Sequence, residues 1–310
     1  MRVLSLFCGC GGLDMGFVNA GYDIVWANDF DKYAVQTYQA NFDHQVVLGD
    51  INSVNLDDLP DFDVLIGGFP CQPFSMMGSE KGFSDARGTL FFRIAEIIKD
   101  RIEKGRKPKA IILENVRSLK THDKGRTFNT IKNILENELD YKLFSEILNT
   151  ADFGIPQTRN RTYIVCFANK DAEYQFPNKM ELNITLQDLL EEKVADKYFL
   201  SEKILPTILS DGTGGYKAKS EIDLKIARPL CATMAKMHRA CQDNYVTQNK
   251  KVRRLTPREC ARLQGFKDSF VIPVSDCQAY KQFGNAVTVN VSEAVARNVR
   301  KELESLGEWI

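Results

Sequence analysis

The chain predicts an α/β fold: a Rossmann-like, doubly wound, mostly parallel sheet, followed by a smaller irregular domain. Three observations carry this. Short apolar runs alternate with segments of helical period through the first half of the 310 residues. A glycine-rich turn follows the first apolar run directly. Beyond about residue 170 the alternation breaks down. Strands separated by helices build parallel sheets covered on both faces.

The elements follow in order. Val3–Phe7 reads as a strand, Gly12–Ala20 as a helix and Asp23–Ala27 as a second strand. Asp31–Phe42 is amphipathic, with Tyr33, Val35, Tyr38 and Phe42 among its apolar positions. Gln45–Leu48 and Asp63–Gly67 are the third and fourth strands. Gly88–Ile102 carries Leu90, Phe91, Ile94, Ile97 and Ile98 at helical spacing. Lys109–Leu113 is a fifth strand, Phe128–Leu139 a helix, and Phe144–Leu148 and Thr162–Phe167 two further strands. Residues 205–250 are polar and show no firm period. Order returns at Thr256–Gln264, where Thr256 and Pro257 supply an N-cap and a first-turn proline. The last helix runs over Val287–Leu303. The expected division is a first domain over 1–188, completed by 285–310, and a smaller second domain with hinge over 189–284.

Composition is that of a globular protein, 26% charged and 44% hydrophobic. No apolar run reaches the roughly 18 residues of a membrane span. The apolar start is cut short by Gly9, Gly11, Gly12 and Asp14 and suits a strand better than a signal peptide. A cytoplasmic protein is expected. Its eight cysteines, with no C-x-x-C pair, read as free thiols, and no metal site is expected. Charge is unevenly placed. Residues 1–60 hold two basic side chains against eight aspartates, whereas residues 201–260 hold twelve basic side chains against six acids. Such asymmetry suits a neutral or cationic ligand at one end and a polyanion at the other.

"LSLFCGCGGLDMGF" places Gly9, Gly11 and Gly12 between the first strand and the first helix, where a ligand can approach the backbone closely. Asp29 follows the second strand, twenty positions after Gly9, the spacing of an acid that takes ribose hydroxyls. Asp50, after the third strand, can accept from an adenine amino group. The glycines do not spell G-x-G-x-x-G, which disfavours a nicotinamide cofactor, and no Walker Gly-Lys-Ser/Thr is present. Acids without a phosphate-binding cation suit a cationic adenosine cofactor, and S-adenosylmethionine fits.

The fourth strand runs into "GFPCQPFS", which presents Cys71 between Pro70 and Pro73. The fifth ends in Glu114-Asn115-Val116. Parallel strands end at one edge, so Cys71 and Glu114 are expected to share a crevice. Either residue alone is more often structural. Together, beside a methyl donor, they define a reaction class: thiolate attack on C6 of a cytosine makes C5 nucleophilic. Glu114 would then meet ring N3 as a protonated acid in a dry pocket. Arg159 and Arg161, in "GIPQTRNR", alternate, so an extended backbone would point both to one side, toward the base carbonyl O2 or a phosphate.

With these residues in view the chain resembles the DNA (cytosine-5)-methyltransferases, most of all the compact bacterial HhaI type of restriction–modification systems. The resemblance covers nearly all of the chain outside about 190–250. Phe7-x-Gly9-x-Gly11-Gly12 resembles the family's cofactor loop, and Gly68-Phe69-Pro70-Cys71-Gln72 its nucleophile motif. Glu114-Asn115-Val116 is similar to its cytosine-binding acid, and Gln157-x-Arg159-x-Arg161 to its paired arginines. "RRLTPRECARLQGF" and "QFGNAV" resemble its last two motifs. Asp29 stands where the family usually has Glu, and Phe30 where an adenine-stacking residue is often Trp.

The resemblance implies S-adenosylmethionine as cofactor, with Phe7, Gly9, Gly11, Gly12, Asp29, Phe30, Asp50, Ile51, Pro70, Asn285 and Val287 around it. It implies catalysis by Cys71, Glu114, Arg159 and Arg161 on a cytosine flipped out of duplex DNA. Ser75 and Arg87, on a closing loop, together with Thr233, Lys236, His238 and Arg239, are implied in DNA binding. A bacterial or phage-encoded monomer is expected, sharing its site with a cognate restriction endonuclease without a stable complex. A tRNA methyltransferase, a non-enzymatic DNA-binding relative and a nicotinamide oxidoreductase are the competing readings. Intact Cys71, Glu114, Arg159 and Arg161 argue against the second, and the glycine spacing against the third.

Overall fold

Val3, Leu4 and Leu6 are fully buried, as a strand covered on both faces requires. They belong to β1 (Arg2–Leu6), an interior strand of a seven-stranded sheet. The computed structural model describes residues 1–69, 90–211, 217–236 and 239–309; the expectations placed on Pro70, Cys71, Ser75, Arg87 and His238 lie outside the described residues.

The chain continues through α1 (Gly12–Asn19), β2 (Asp23–Asp29), α2 (Lys32–Gln39), β3 (Val46–Leu48), β4 (Val64–Gly68) and α3 (Leu90–Glu103). Then come β5 (Ala110–Val116), α4 (Arg126–Asn133), β6 (Lys142–Asn149), β7 (Asn160–Phe167) and a four-residue α5 (Leu205–Ile208). The last elements are β8 (Tyr245–Gln248), β9 (Lys251–Arg254), α6 (Pro257–Leu263), α7 (Asp276–Asn285) and α8 (Val289–Ser305). The large sheet runs β3-β2-β1-β4-β5-β7-β6. Strands β1 to β5 pair in parallel, and β7 runs antiparallel to β5. Strand order reverses between β1 and β4, and ligands of open α/β sheets bind outside the carboxyl ends at such a switch point.

Contacts divide the chain into two compact units. The first comprises Met1–Leu148, Asn160–Asn178 and Val291–Ile310. Its core packs Phe91, Ile94, Ile97 and Ile98 of α3 against Leu65, Ile111 and Leu113 of the sheet. The second comprises Asn149–Arg159 and Lys179–Asn290. There β8 and β9 form a hairpin whose turn residues, Asn249 and Lys250, both have positive φ, as its tight turn requires. Thr256 and Glu259 form a capping box at α6, and Glu259 also pairs with Arg253 at 2.6 Å with both side chains fully buried. Among the described residues no helix is long and apolar enough to cross a membrane.

The structure differs from the sequence expectation in its unit boundaries, in one segment and in one helix. The unit boundaries fall at 178/179 and 290/291, not at 188/189 and 284/285. Segment 149–159 leaves the sheet and packs in the second unit, because its side chains bond there. The helix expected over Phe128–Leu139 ends as α4 at Asn133 and continues as a π-helical turn over Ile134–Glu138, which repetitive apolar spacing does not distinguish from α-helix.

Candidate active site

Gly68, the last residue of β4, pairs in register with Glu114. β4 therefore ends, at Gly68, beside Glu114 on the neighbouring strand, and the expected nucleophile Cys71 follows three positions later in the sequence, outside the described residues. Asn115, 2% exposed, sends its side-chain amide to the Phe69 carbonyl at 2.8 Å and accepts from the Val116 N–H with its own oxygen, also at 2.8 Å. The neighbour of the acid thus holds the backbone two residues before Cys71. Sequence reading gave Asn115 no role of its own. The signal was its place between a buried acid and a strand end, where an amide can both donate and accept.

Glu114 lies within β5 rather than past its end and is 8% exposed. It faces Tyr163 across the antiparallel ladder, and Arg161 faces Val116. Arg161 is therefore the diagonal neighbour of Glu114 on the same face. Its Nε lies 3.1 Å from Glu114 Oε1. An acid and a planar donor fork are side by side, the pair that can read N3 and O2 of one pyrimidine.

Arg159 departs from the expectation that it would point with Arg161. The Gln157 N–H bonds to Ile155 O at 2.7 Å and the Arg159 N–H to Gln157 O at 3.0 Å, so the backbone is folded in tight turns and period-two alternation does not apply. The guanidinium is buried. Nη1 donates to Leu230 O at 2.9 Å, and Nη2 to Gly284 O at 3.0 Å and Ala286 O at 2.8 Å.

Phe7, at the end of β1, has φ 57°, a left-handed conformation that is costly for a bulky residue and typical of ligand sites. Gly9 follows at φ 57°, with nothing within 4 Å of where a Cβ would stand. Gly11, at φ 90°, would push a Cβ to 2.3 Å from the Phe42 ring. Asp29 organises this loop: Oδ2 accepts from the Gly9 N–H and Oδ1 from the Asp31 N–H, each at 2.8 Å. Burial raises the Asp29 carboxyl pKa and outweighs these hydrogen bonds. The Phe30 ring beside it is 73% exposed, an unusual state for a phenylalanine and a ready stacking face. Asp50 Oδ1 accepts from the Asn52 backbone and side chain, both at 2.9 Å, and so caps the turn that begins at Ile51. The open loop, the bare ring and the acids at the ends of β2 and β3 fit an adenosine cofactor with no phosphate.

Beneath the loop Asp14 is fully buried, and burial pushes its carboxyl up to about 6. The Tyr38 hydroxyl donates to Asp14 Oδ1 at 2.7 Å and lies 2.5 Å from His44 Nε2. Cys8 and Cys10 are buried. Burial raises both thiols, Cys10 to about 12, so neither is a ready thiolate.

In the second unit Thr233 and Lys236 are exposed, and the Lys236 N–H closes a turn on Thr233 O at 2.8 Å. Arg239 is half-buried, and its Nη1 donates to Thr207 O at 2.5 Å, within its own unit. Asn285 is exposed at the end of α7, and Val287 is buried.

Comparison with known proteins accords with this geometry. The family model for C-5 cytosine-specific DNA methylases matches residues 1–301. The chain is 42% identical to the Type II methyltransferase M.NlaX of Neisseria lactamica, over 99% of this chain and 98% of that protein. It is 39% identical to the Type II methyltransferase M.HhaI of Haemophilus parahaemolyticus, over 98% and 95%. Among solved structures, the Dnmt2 methyltransferase of S. pombe superposes with a TM-score of 0.79 at 23% identity, over 99% of both chains, a likeness of fold. The chain therefore belongs to the C-5 cytosine-specific DNA methylases: it is a DNA (cytosine-5-)-methyltransferase whose methyl donor is S-adenosylmethionine.

Proposed function

We propose that the protein methylates a cytosine flipped out of one specific duplex sequence, through a covalent bond to Cys71, as the modification enzyme of a restriction–modification system. The observation that carries this is the Glu114–Arg161 pair at the end of β5, in register with the strand that leads to Cys71. The relatives' designation as Type II methyltransferases supports the biological role. Neither face of C5 and C6 is open to both thiol and methyl inside a stacked duplex, so the base must leave the helix.

S-adenosylmethionine supplies an electrophilic methyl carbon. The chain's residues prepare the acceptor. The Cys71 thiolate adds to C6, and the electron pair moves through the ring toward N3, where Glu114 shares a proton. Arg161 donates to O2 and keeps the base aligned with the acid. C5, now nucleophilic, would take the methyl group as its bond to the sulfonium breaks, leaving a neutral thioether. Loss of the C5 proton to a base then expels Cys71 as thiolate and restores the aromatic ring. Phe7, Gly9, Gly11, Gly12, Asp29, Phe30, Asp50, Ile51 and Pro70, with Asn285 and Val287, form the cofactor site in this reading. Thr233 and Lys236, in the recognition segment, meet the DNA. The protein acts as a monomer, and its endonuclease partner shares the site rather than a complex.

The test is a duplex library with 5-fluorocytosine in place of cytosine, incubated with cofactor and run on a denaturing gel beside unmodified tRNA. Fluorine cannot leave C5 as a proton does, so the enzyme should remain covalently bound to the methylated duplex. The adduct should vanish in Cys71→Ala. Methyl transfer to tRNA alone would overturn the DNA assignment, and an adduct that survives Cys71→Ala would overturn the nucleophile.

A further inference from the structure

We propose that Arg159 is a positioning residue that sets the backbone of the DNA-reading segment, and that it touches neither the base nor a phosphate. This rests on the reading of 228–244 as the segment that selects the target sequence.

Both backbone groups of Leu230 are held by side chains of one short stretch. Gln157 Oε1 accepts from the Leu230 N–H at 2.9 Å, and Arg159 Nη1 donates to its carbonyl, also at 2.9 Å. Gln157 is itself fixed by donating through Nε2 to Leu263 O at 2.6 Å. Backbone bonds from Ala227 N–H to Pro156 O at 2.7 Å and from Thr158 N–H to Ala227 O at 2.9 Å extend the seam. The other arm of the Arg159 fork takes the carbonyls of Gly284 and Ala286 on either side of Asn285. A Cβ on Gly284 would fall 2.3 Å from Cys231 C and Ala232 N, so this glycine lets peptide 231–232 lie directly on the end of α7. One guanidinium thereby registers the start of the recognition segment against the last motif of the chain. Thr233 stands three residues beyond the gripped Leu230.

The chemistry favours arginine here. A planar fork satisfies three carbonyls in fixed directions, which a lysine ammonium cannot reproduce. Those carbonyls lie in a dry interior, where an unmet acceptor is costly. At 1% exposure, with both terminal nitrogens donating to backbone carbonyls, the fork is turned into the protein and not toward a nucleic acid at the surface.

The experiment compares wild type with Arg159→Lys on duplexes of randomised sequence, read by sequencing of 5-methylcytosine, together with steady-state kinetics and the salt dependence of DNA binding. The expected result is a broadened motif. Discrimination between the preferred site and single-base variants should fall about tenfold, within the usual worth of one base pair. KM for the preferred duplex should rise more than kcat falls, and the salt slope should not change. A salt slope smaller by about one with an unchanged motif would make Arg159 a phosphate ligand and overturn the proposal. A fall in kcat alone would overturn it in favour of a base contact. If Arg159→Lys melts before assay temperature, Gly284→Ala probes the same seam and should broaden the motif likewise; an unchanged motif in a folded Gly284→Ala protein overturns the proposal. A wild-type enzyme that marks no duplex would instead refute the reading of DNA on which the proposal rests.

Discussion

Glu114 and Arg161 show how much one diagonal pair across two strands can decide. The acid is buried beside a neighbour that also carries the donors a pyrimidine O2 requires. Glu114→Gln keeps the shape but shares no acidic proton with N3. The rate of methyl transfer should fall by about 10²–10⁴, the usual worth of a general acid, with cofactor affinity retained. Single-turnover transfer at an unchanged rate would remove Glu114 from the chemistry. Asp14 offers a second test at this scale. Its carboxyl is raised from the ordinary value to about 6 by burial, so the folded state holds a proton that the unfolded chain has lost. Stability is therefore expected to fall as pH rises from about 4 to 6 and to stay reduced above, by on the order of 3 kcal/mol for a shift of about 2 units. Asp14→Asn should abolish that loss while still accepting from Tyr38. Thermal melts should show the variant gaining on wild type between pH 4 and pH 7; parallel curves would contradict the assignment.

Among the elements, β5 does the most for function. Its register with β4 sets Gly68 opposite Glu114, and its antiparallel pairing with β7 places Arg161. Helix α1 is held by close approach to α8: Ser292 Oγ donates to Leu13 O at 2.6 Å, and a Cβ on Gly16 would lie 2.4–2.5 Å from Ser292 and the Glu293 N–H. Alanine is the better helix former by about 1 kcal/mol, but it must displace backbone here. Gly16→Ala is expected to destabilise the protein by about 1–3 kcal/mol, as read by urea unfolding. A stabilised variant would show that α8 can yield. The strands and the caps were legible because they depend on near neighbours: an apolar run for β1, Thr256 with Glu259 for α6. The π-turn at Ile134–Glu138 was not, since its apolar spacing is compatible with an ordinary helix.

For the molecule as a whole, the acidic stretch 1–60 lies entirely in the first unit and the basic stretch 201–260 entirely in the second. The polarity of the chain thus follows its division into two units, the asymmetry that the proposed cationic cofactor and polyanionic substrate would use. Family, reaction, cofactor and parallel sheet could all be inferred from the order of residues, because a glycine turn, spaced acids and a cysteine at a strand end are local patterns with local causes. Folding decided the rest. It separated Arg159 from Arg161, gave Asn115 its hold on Phe69, and carried 149–159 into the second unit. Each of these depends on hydrogen bonds between groups 46 or more positions apart, such as Asn115 to Phe69 and Arg159 to Leu230 at 71. No period or spacing encodes such partners, because a buried carbonyl selects whichever donor the tertiary fold brings within reach.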